Sequence, residues 1–273
     1  MGGSGYIGRA LVEHMSALDC DIDVVVRSEK SGRKVKSACA DAKIVDGLDI
    51  AGRTYDRVIN LVADYGRGDT LLSDIVRSNL LYPLALIETF AFGAVLNISI
   101  ALPESYSSYS LSKKMLERSL DQVATRKGFR ALNIQLHDLY GPGSDETNFV
   151  TSLIRRMKYS KPIALSSCTN SRDFIYIEDV VGAIAALCVR TERMPESPAI
   201  HVGTGLPIQL SALVEKLRAK IGTSSVILYG ARPDNIHEVP IRAADLTVIA
   251  ATGWKPAWSL DAGLDAKILS LNT

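Results

Sequence analysis

Short apolar runs alternate with amphipathic stretches along this chain, and the alternation predicts strands separated by helices. Runs rich in Val, Ile and Leu, which are typical of buried strands, occur at residues 22–26, 42–45, 57–63, 94–99 and 131–136. Helical spacing of apolar residues appears between them, and the longest helix of this half is predicted at roughly residues 71–92. Strands that alternate with helices indicate a parallel sheet with helices on its faces, which is an α/β fold.

Three regularly spaced glycines, Gly2, Gly5 and Gly8, open the chain and lead into an amphipathic helix. Glycines in this arrangement permit a tight turn, let the backbone approach a pyrophosphate and allow a helix to pack closely on a strand. The helix would then offer free N–H groups to the phosphates. The predicted cofactor contacts in this turn are Gly2, Gly5, Tyr6, Ile7 and Gly8. The same run would also fit a flexible start of the chain.

The glycine turn predicts a Rossmann-like, doubly wound parallel sheet with an unusual beginning. A dinucleotide-binding turn directly follows an apolar strand, and here Met1 stands where that strand would end. We therefore expect the true start to lie upstream and the first strand to be missing from this sequence. The later chain predicts a smaller C-terminal substrate lobe that is interleaved with the first domain. Residues 1–143 and 172–205 would form the dinucleotide-binding domain, and residues 144–171 and 206–273 the substrate lobe.

Basic residues follow the run at residues 22–26, where the adenosine ribose of a dinucleotide would bind. An acidic residue at this place binds the 2′-hydroxyl of NAD, whereas an arginine accommodates the 2′-phosphate of NADP. Arg27, followed by Ser28, therefore favours NADP over NAD, with a solvated basic loop as the alternative. Asp49 would receive the adenine amino group or serve as a turn residue. The small residue Ala63 would let the backbone pass close to the cofactor.

Tyr109 and Lys113 are four residues apart in a stretch with helical spacing, so both side chains would lie on one face. An ammonium beside a phenol stabilises the phenolate and would lower the pKa of Tyr109 from about 10 toward neutral pH. Such a tyrosine can exchange a proton with an alcohol or a carbonyl. Taken alone, the pair also fits a half-buried tyrosine beside a lysine stem. Ser99, at the carboxyl end of its strand, would hold the substrate oxygen.

Composition argues against several classes of function. With 31 basic and 30 acidic residues, the chain has no charge excess suited to nucleic acid or an anionic membrane. Its four cysteines lie far apart and without metal-ligand spacing, so we expect reduced thiols in a cytoplasmic protein and no metal site. No apolar run reaches the length that crosses a membrane.

Several short motifs follow one another in an order that resembles the extended short-chain dehydrogenases/reductases, the NAD-dependent epimerase/dehydratase group. The motifs are Gly2 to Gly8, Tyr109 to Lys113, Leu139 to Gly143, Arg172 to Val180, His201 to Gly205 and Thr252 to Pro256. The resemblance implies an NAD(P)-dependent enzyme acting on a nucleotide-linked sugar, with Tyr109 and Lys113 as its catalytic pair. The short loop before Tyr109 is similar to that of bacterial CDP-abequose and CDP-paratose synthase-like reductases, which reduce a 4-keto sugar.

The family's remaining roles fall on single positions of this chain. Ser99 matches the strand-end serine, although Ile100 stands where many members carry the catalytic serine. Three nearby serines are the alternatives: Ser105, Ser107 and Ser108. The resemblance also implies that Lys113 grips the nicotinamide ribose and that Tyr140 lies where nicotinamide meets substrate.

The resemblance implies three substrate contacts, namely Asn148, Phe149 and Arg232. Asn148 and Phe149 would begin a helix that faces the sugar nucleotide, and Arg232 would clamp the diphosphate. Phe149 fits the core of a helix equally well. A surface arginine in a turn is the alternative for Arg232.

Three functions fit these residues. A reductase would protonate the oxygen of a 4-keto sugar through Tyr109, whereas a 4-epimerase would hold NAD tightly and return the hydride to the other face of the ketone. A dehydratase would need carboxylates near the serine, and residues 99–101 contain none. A catalytically inactive NAD(P)-binding regulator of the same fold is the third possibility. Relatives often form homodimers through the catalytic helix, so we expect either that pairing here or inward packing of Leu111, Met115, Leu116 and Leu120.

Overall fold

The computed structural model describes residues 1–18, 20–46, 50, 52–159, 161–194, 199–237 and 243–272. Its strands are β1 (Asp23–Val26), β2 (Lys43–Asp46), β3 (Thr54–Asn60), β4 (Ala91–Ile100), β5 (Arg130–Leu136), β6 (Asp138–Tyr140), β7 (Ile163–Ala164), β8 (Ser171–Arg172), β9 (Phe174–Tyr176), β10 (Ala199–Val202), β11 (Ile208–Gln209) and β12 (Ile227–Leu228). Its helices are α1 (Tyr6–Ser16), α2 (Glu29–Lys36), α3 (Leu72–Val76), α4 (Tyr82–Ile87), α5 (Ser108–Lys127), α6 (Phe149–Lys158), α7 (Ile177–Val189), α8 (Leu210–Ile221), α9 (Thr247–Ala250) and α10 (Leu260–Leu269). The predicted α/β class is confirmed.

The main sheet runs in the order β10-β5-β4-β3, and β3, β4 and β5 pair in parallel. β1 and β2 form a separate parallel pair. Met1 lies beside β3, since its amino group donates to the carbonyl of Ile59 at 2.8 Å and its carbonyl accepts from the N–H of Leu61 at 3.0 Å. Met1 thus pairs as a strand residue would, at the place where the sequence predicts a strand to end.

The long helix α5 packs its apolar face against the sheet. Leu116 and Leu120 are fully buried in the cluster that includes Val95 of β4, whereas Leu111 and Met115 are half-buried. Burying a leucine side chain stabilises a fold by about 1.5–3 kcal/mol, so inward packing of this stripe fixes α5 on the sheet. The predicted homodimer stays a prediction.

The helix predicted at residues 71–92 is divided and shorter than expected. α3 passes through a π-helical turn at Arg77–Leu81 into α4, which ends at Ile87, and β4 already begins at Ala91. Pro83 lies in the first turn of α4 and has no N–H to donate to a preceding carbonyl. The π-helical turn directly before α4 lets the helix continue although this hydrogen bond is missing.

The chain divides into two compact units, each built from three segments. The first comprises Met1–Leu136, Val181–His201 and Thr247–Trp254; the second comprises His137–Val180, Val202–Leu246 and Lys255–Thr273. The divisions differ from the predicted domain boundaries, because β6 pairs with β9 and the Tyr140 ring packs edge-on against Tyr176 at 5.6 Å within the second unit. The assignment of a dinucleotide-binding and a substrate-binding part stays a prediction.

Some observations bear on metal, redox and membrane functions. Cys20, Cys39, Cys168 and Cys188 are all free thiols. Across the described parts of the chain, no group of His, Cys, Asp and Glu has the arrangement of a metal site. The helices of those parts are too short or too polar to cross a bilayer.

Lys267 of α10 is fully buried, and its Nζ has no hydrogen-bond partner among the described residues. Burial, with a smaller contribution from the charge of Arg155, lowers the pKa of Lys267 to about 8. Because the unfolded chain binds this proton more tightly, the stability of the protein should rise with pH between about 8 and 10.5. Below that range the full penalty of the buried charge is present.

We expect Lys267→Met to raise the free energy of unfolding at pH 7 by about 1–3 kcal/mol, since it removes an uncompensated buried charge. Thermal unfolding at pH 7 and pH 10 measures the effect. The gain should shrink at pH 10, where the native lysine is neutral in the folded state. The exposed Lys36→Met serves as a control that should change little at either pH. Equal stability of the Lys267 variant and the native protein at pH 7 would contradict the assignment.

Candidate active site

A cavity of about 510 Å³ lies in the first unit, at the glycine turn and the carboxyl ends of β1 and β3. Its volume falls in the range of small-ligand sites. The residues around it include Gly2, Gly5, Arg27, Val62, Ala63 and Tyr65. Four of the predicted cofactor contacts, Gly2, Gly5, Arg27 and Ala63, therefore line one cavity.

The glycine turn forms a cradle in which side chains would not fit. Gly2 has a φ of +80°, and a Cβ there would come within 2.7 Å of the backbone of Leu61. A Cβ on Gly8 would lie 2.5 Å from the carbonyl oxygen of Gly2. Gly5 begins α1 without a side-chain cap, and Tyr6 and Ile7 form the first turn of the helix. Uncapped N–H groups beside a turn made only of backbone fit the pyrophosphate of a dinucleotide.

The cavity wall also carries three cations, Arg27, Lys34 and Arg67. The Arg67 guanidinium lies over the ring of Tyr65, 4.9 Å from the ring centroid. Ser28 is used differently, because its hydroxyl caps α2 by accepting from the N–H of Ser31 at 3.3 Å. Asp49 lies outside the described residues. Cationic side chains such as Arg27 on the cavity wall would suit an added phosphate group.

Tyr109 and Lys113 lie on α5, as predicted, and each contacts a residue of the cavity wall. The ring of Tyr109 packs on the ring of Tyr65, with 4.7 Å between centroids. The Lys113 Nζ donates to the carbonyl of Val62 at 3.1 Å. The structure therefore brings the predicted catalytic pair to the cavity through two residues, Tyr65 and Val62, that the sequence analysis did not select.

The predicted effect of Lys113 on Tyr109 is wrong. Burial, with a smaller effect of the neighbouring Tyr65, raises the pKa of Tyr109 above its ordinary value instead of lowering it. Burial also lowers the pKa of Lys113 to about 8, partly offset by the negative charge of Glu117 one turn further along α5. Desolvation is the largest cause of both shifts, and an attraction between the phenol and the ammonium is not among their causes.

Ser99 lies at the end of β4, as predicted, but its hydroxyl faces α5. It donates to the carboxylate of Glu117, which also accepts from Lys114 Nζ at 2.9 Å and from Gln135 Nε2 at 3.2 Å. The Ser107 hydroxyl caps α5 by accepting from the N–H of Ser110. The role of Ser99 as the substrate-binding hydroxyl stays a prediction.

A buried asparagine ties the cavity wall to the catalytic helix. Asn79 accepts from the N–H of Asp64 at 2.7 Å, and its amide donates to the carbonyl of Asp64 at 2.8 Å and to the hydroxyl of Ser112 at 2.9 Å. The Ser112 hydroxyl donates in turn to the carbonyl of Tyr109 at 2.7 Å. The backbone on which Tyr65 lies is therefore fixed relative to the first turn of α5.

The other predicted contacts lie in the second unit. Tyr140 is buried there and donates to the carbonyl of Leu260 at 3.3 Å, while burial and its neighbours raise its pKa. Asn148 caps α6 by accepting from the N–H of Thr151, and its amide donates to the carbonyl of Leu139 at 2.8 Å. Phe149 begins α6 and is half-buried. Their roles toward cofactor and substrate are untested.

Arg232, the predicted diphosphate clamp, lies close to a second arginine. Its backbone N–H donates to the carbonyl of Leu165 at 2.9 Å, and the Arg156 guanidinium donates to the carbonyl of Ala164 at 3.1 Å. Burial and the charge of Arg232 lower the pKa of Arg156. The two arginines thus bond to the adjacent carbonyls of Ala164 and Leu165, one through its guanidinium and the other through its backbone N–H. Two guanidinium groups near each other are suited to an anion with two or more negative oxygens.

Comparison with known proteins agrees with these observations. CDP-abequose synthase of Salmonella typhimurium is 25% identical over 285 residues, which cover 97% of this chain and 94% of that protein. The UDP-glucose 4-epimerase of Thermotoga maritima has the same fold, with a TM-score of 0.83 at 20% identity, covering 99% of this chain and 97% of that one. The Thermus thermophilus UDP-glucose 4-epimerase in complex with NAD gives a TM-score of 0.79 at 17% identity, with coverage of 99% and 97%.

The family model for the NAD dependent epimerase/dehydratase family matches residues 1–203, which include the glycine cradle and the Tyr109–Lys113 helix. That match spans well over half of the chain. The protein is therefore a member of the NAD dependent epimerase/dehydratase family.

Proposed function

We propose that this protein is an NADP-dependent reductase of a 4-keto sugar carried on a nucleotide. The observation that carries the proposal is the position of Tyr109, whose ring packs on Tyr65 in the wall of a cavity that also has a glycine cradle and three cationic side chains. The similarity to CDP-abequose synthase along nearly the whole chain supports a nucleotide-sugar substrate.

The glycine turn, Arg27 and Lys113 would hold the dinucleotide, whose nicotinamide supplies the hydride when bound. Gly2 and Gly8 leave room for the pyrophosphate, and Arg27 would pair with the 2′-phosphate. Tyr109 would donate its phenolic proton to the oxygen of the sugar as the carbonyl becomes an alcohol. Its raised pKa keeps the phenol in the protonated form that a proton donor needs, while the same shift makes the phenol a weaker acid.

Arg156 and Arg232 would bind the diphosphate of the sugar nucleotide. Burial and, to a smaller extent, the charge of Arg232 lower the pKa of Arg156, and a doubly charged anion would relieve the repulsion between the two guanidinium groups. A planar guanidinium matches two phosphate oxygens at once, which a lysine does not. These two arginines would bind the diphosphate of any sugar nucleotide, whichever nucleobase it carries.

We expect NADP(H) to raise the melting temperature of the protein more than NAD(H), because Arg27 on the cavity wall would pair with the 2′-phosphate. Thermal shifts with each dinucleotide, followed by CDP-, UDP- and dTDP-linked sugars, measure this preference. In Arg27→Gln the shift with NADP(H) should fall toward that with NAD(H), while the shift with NAD(H) stays as in the native protein.

Other outcomes of the same screen would change the assignment. Equal or reversed shifts would remove the role of Arg27. NAD retained through purification, with interconversion of two sugar epimers, would identify a 4-epimerase. Binding of NADPH without turnover of any 4-keto nucleotide sugar would identify a regulator of the same fold.

A further inference from the structure

Three asparagines form a hydrogen-bonded ladder across the main sheet. Asn60 of β3, Asn97 of β4 and Asn133 of β5 are direct neighbours in register. The amide of Asn60 donates to the carbonyl oxygen of Asn97 at 2.9 Å, and the amide of Asn97 donates to the carbonyl oxygen of Asn133 at 2.9 Å. All three side chains are buried, with 0%, 0% and 6% of their surface exposed.

The direction of this ladder is fixed at both ends. At one end the Asn60 oxygen accepts from the N–H of Val62 at 3.3 Å, a group that can only donate. At the other end the Asn133 amide donates to the carboxylate of Asp121 on α5 at 3.2 Å, a group that when ionised can only accept. Each amide between these ends must therefore point the same way, so the ladder has one satisfied arrangement.

The ladder ends at Val62, whose backbone also binds Lys113, the predicted catalytic lysine. The N–H of Val62 is bound by Asn60, and the carbonyl of Val62 accepts from Lys113 Nζ at 3.1 Å. Only 1% of the Lys113 surface is exposed, and within the described ranges this is the one hydrogen bond of its ammonium. Asn79 holds the next part of the same segment at Asp64.

Apolar side chains would also fit the positions of the three asparagines, as the neighbouring level of the sheet shows. Two residues earlier on the same face of the strands stand Val58, Val95 and Ala131, which pack in the core under α5. Buried polar networks are seldom more stable than apolar packing of similar volume, and they are costly when only partly satisfied. The presence of three asparagines at the level of the sheet next to Val62 therefore requires an explanation other than stability.

We propose that Asn60, Asn97 and Asn133 are positioning residues, which fix the Val62 backbone and thereby the place of the Lys113 ammonium. The effect on the backbone is independent of the reaction. The effect on dinucleotide binding and turnover rests on the function proposed above.

Hydrogen exchange of the Val62 amide in the protein without nucleotide tests the first part. In the native protein this amide should exchange slowly, in the range of the core strands. In Asn97→Leu it should exchange at least about 10-fold faster, because Asn60 loses its acceptor and the ladder its direction. Val95→Ala, a core change on the same face of β4, is the matched control for loss of stability. It should leave Val62 protected relative to the rest of the sheet.

A second variant separates positioning from folding. The triple variant Asn60→Leu, Asn97→Leu, Asn133→Leu removes the whole ladder. The groups that lose a partner are then the N–H of Val62 and the carboxylate of Asp121, which are half-buried, instead of the two buried amides that Asn97→Leu leaves unpaired. It should melt at a higher temperature than the single variant and still show fast exchange at Val62. It should also bind NADP(H) at least about 10-fold more weakly than Val95→Ala does.

The outcomes distinguish the two proposals. Fast exchange of Val62 in the native protein, or equal protection in the ladder variants and in Val95→Ala, would overturn the positioning role. A third outcome separates the proposals: Val62 exchanges faster in the ladder variants, but the native protein binds no dinucleotide. The ladder would then still position the backbone, and the proposed function would be rejected.

Discussion

Tyr109→Phe should lower turnover of a 4-keto nucleotide sugar by about 10²–10⁴-fold, the usual contribution of a positioned proton donor. The substitution removes the phenolic hydroxyl and keeps the ring that packs on Tyr65 at 4.7 Å. The cavity wall should therefore be unchanged. The affinity for NADP(H) should stay within about twofold of the native value, since the proposed contacts of the dinucleotide lie on the glycine turn, Arg27 and Lys113.

Steady-state rates of NADPH oxidation and a separate binding titration measure these two effects. Tyr106→Phe, a change of the same kind just before α5, is the matched control and should retain full turnover. Near-native turnover of Tyr109→Phe would show that another group donates the proton. Tyr65, which lies on the cavity, would then be the next residue to test by Tyr65→Phe.

Gly8→Ala should weaken the binding of either dinucleotide by about 100-fold, or close to 3 kcal/mol. A methyl group at this position would lie 2.5 Å from the carbonyl oxygen of Gly2 and 2.6 Å from the Cα of Gly3. Both are backbone atoms, so the contact is relieved only by moving the turn. Moving the turn displaces the N–H groups at the start of α1 that would face the pyrophosphate. Crowding of this kind also costs about 1–3 kcal/mol of stability.

The comparison of Gly8→Ala with Gly32→Ala isolates the effect of the cradle. Gly32 lies inside α2, and a Cβ there would meet Ile44 at an ordinary 3.6 Å. Alanine also favours a helix interior, so Gly32→Ala should bind dinucleotide normally and be at least as stable as the native protein. Isothermal titration and thermal unfolding of both variants provide the measurements. Native affinity in Gly8→Ala would mean that the dinucleotide does not use this turn.

The periodic features of the sequence predicted the fold well. The Tyr109–Lys113 spacing predicted a helix with both residues on it, and apolar runs predicted β3, β4 and β5 of the main sheet but not its fourth strand, β10. These features depend on residues close together in sequence. The interruption near Pro83 was also visible in the sequence, but a proline alone does not say whether a helix stops or passes through a wider turn.

Electrostatic properties of the site were not predictable in the same way. The pKa of Tyr109 depends on how much water its hydroxyl keeps, which is set by Tyr65 from a distant part of the chain. The partner of Ser99 is likewise fixed by the packing of α5 on β4, which turns Glu117 toward the strand end. Spacing along one helix carries no information on either point.

The asparagine ladder has a recognisable pattern in the sequence. Asn60, Asn97 and Asn133 each lie within one of the apolar runs at residues 57–63, 94–99 and 131–136. In a parallel sheet such polar residues are informative when they fall at one level, and the register needed to see this became known only from the strand pairing. A search for polar residues aligned across predicted strands would have found them.

The alternation of the chain between its two compact units has a consequence for synthesis on the ribosome. The first unit includes residues 247–254, and the second begins at residue 137. The first unit therefore cannot finish folding until residues 247–254 have been made, which happens after two of the three segments of the second unit. The two units are thus expected to complete their folding together during synthesis, and not one after the other as domains that follow each other along a chain do.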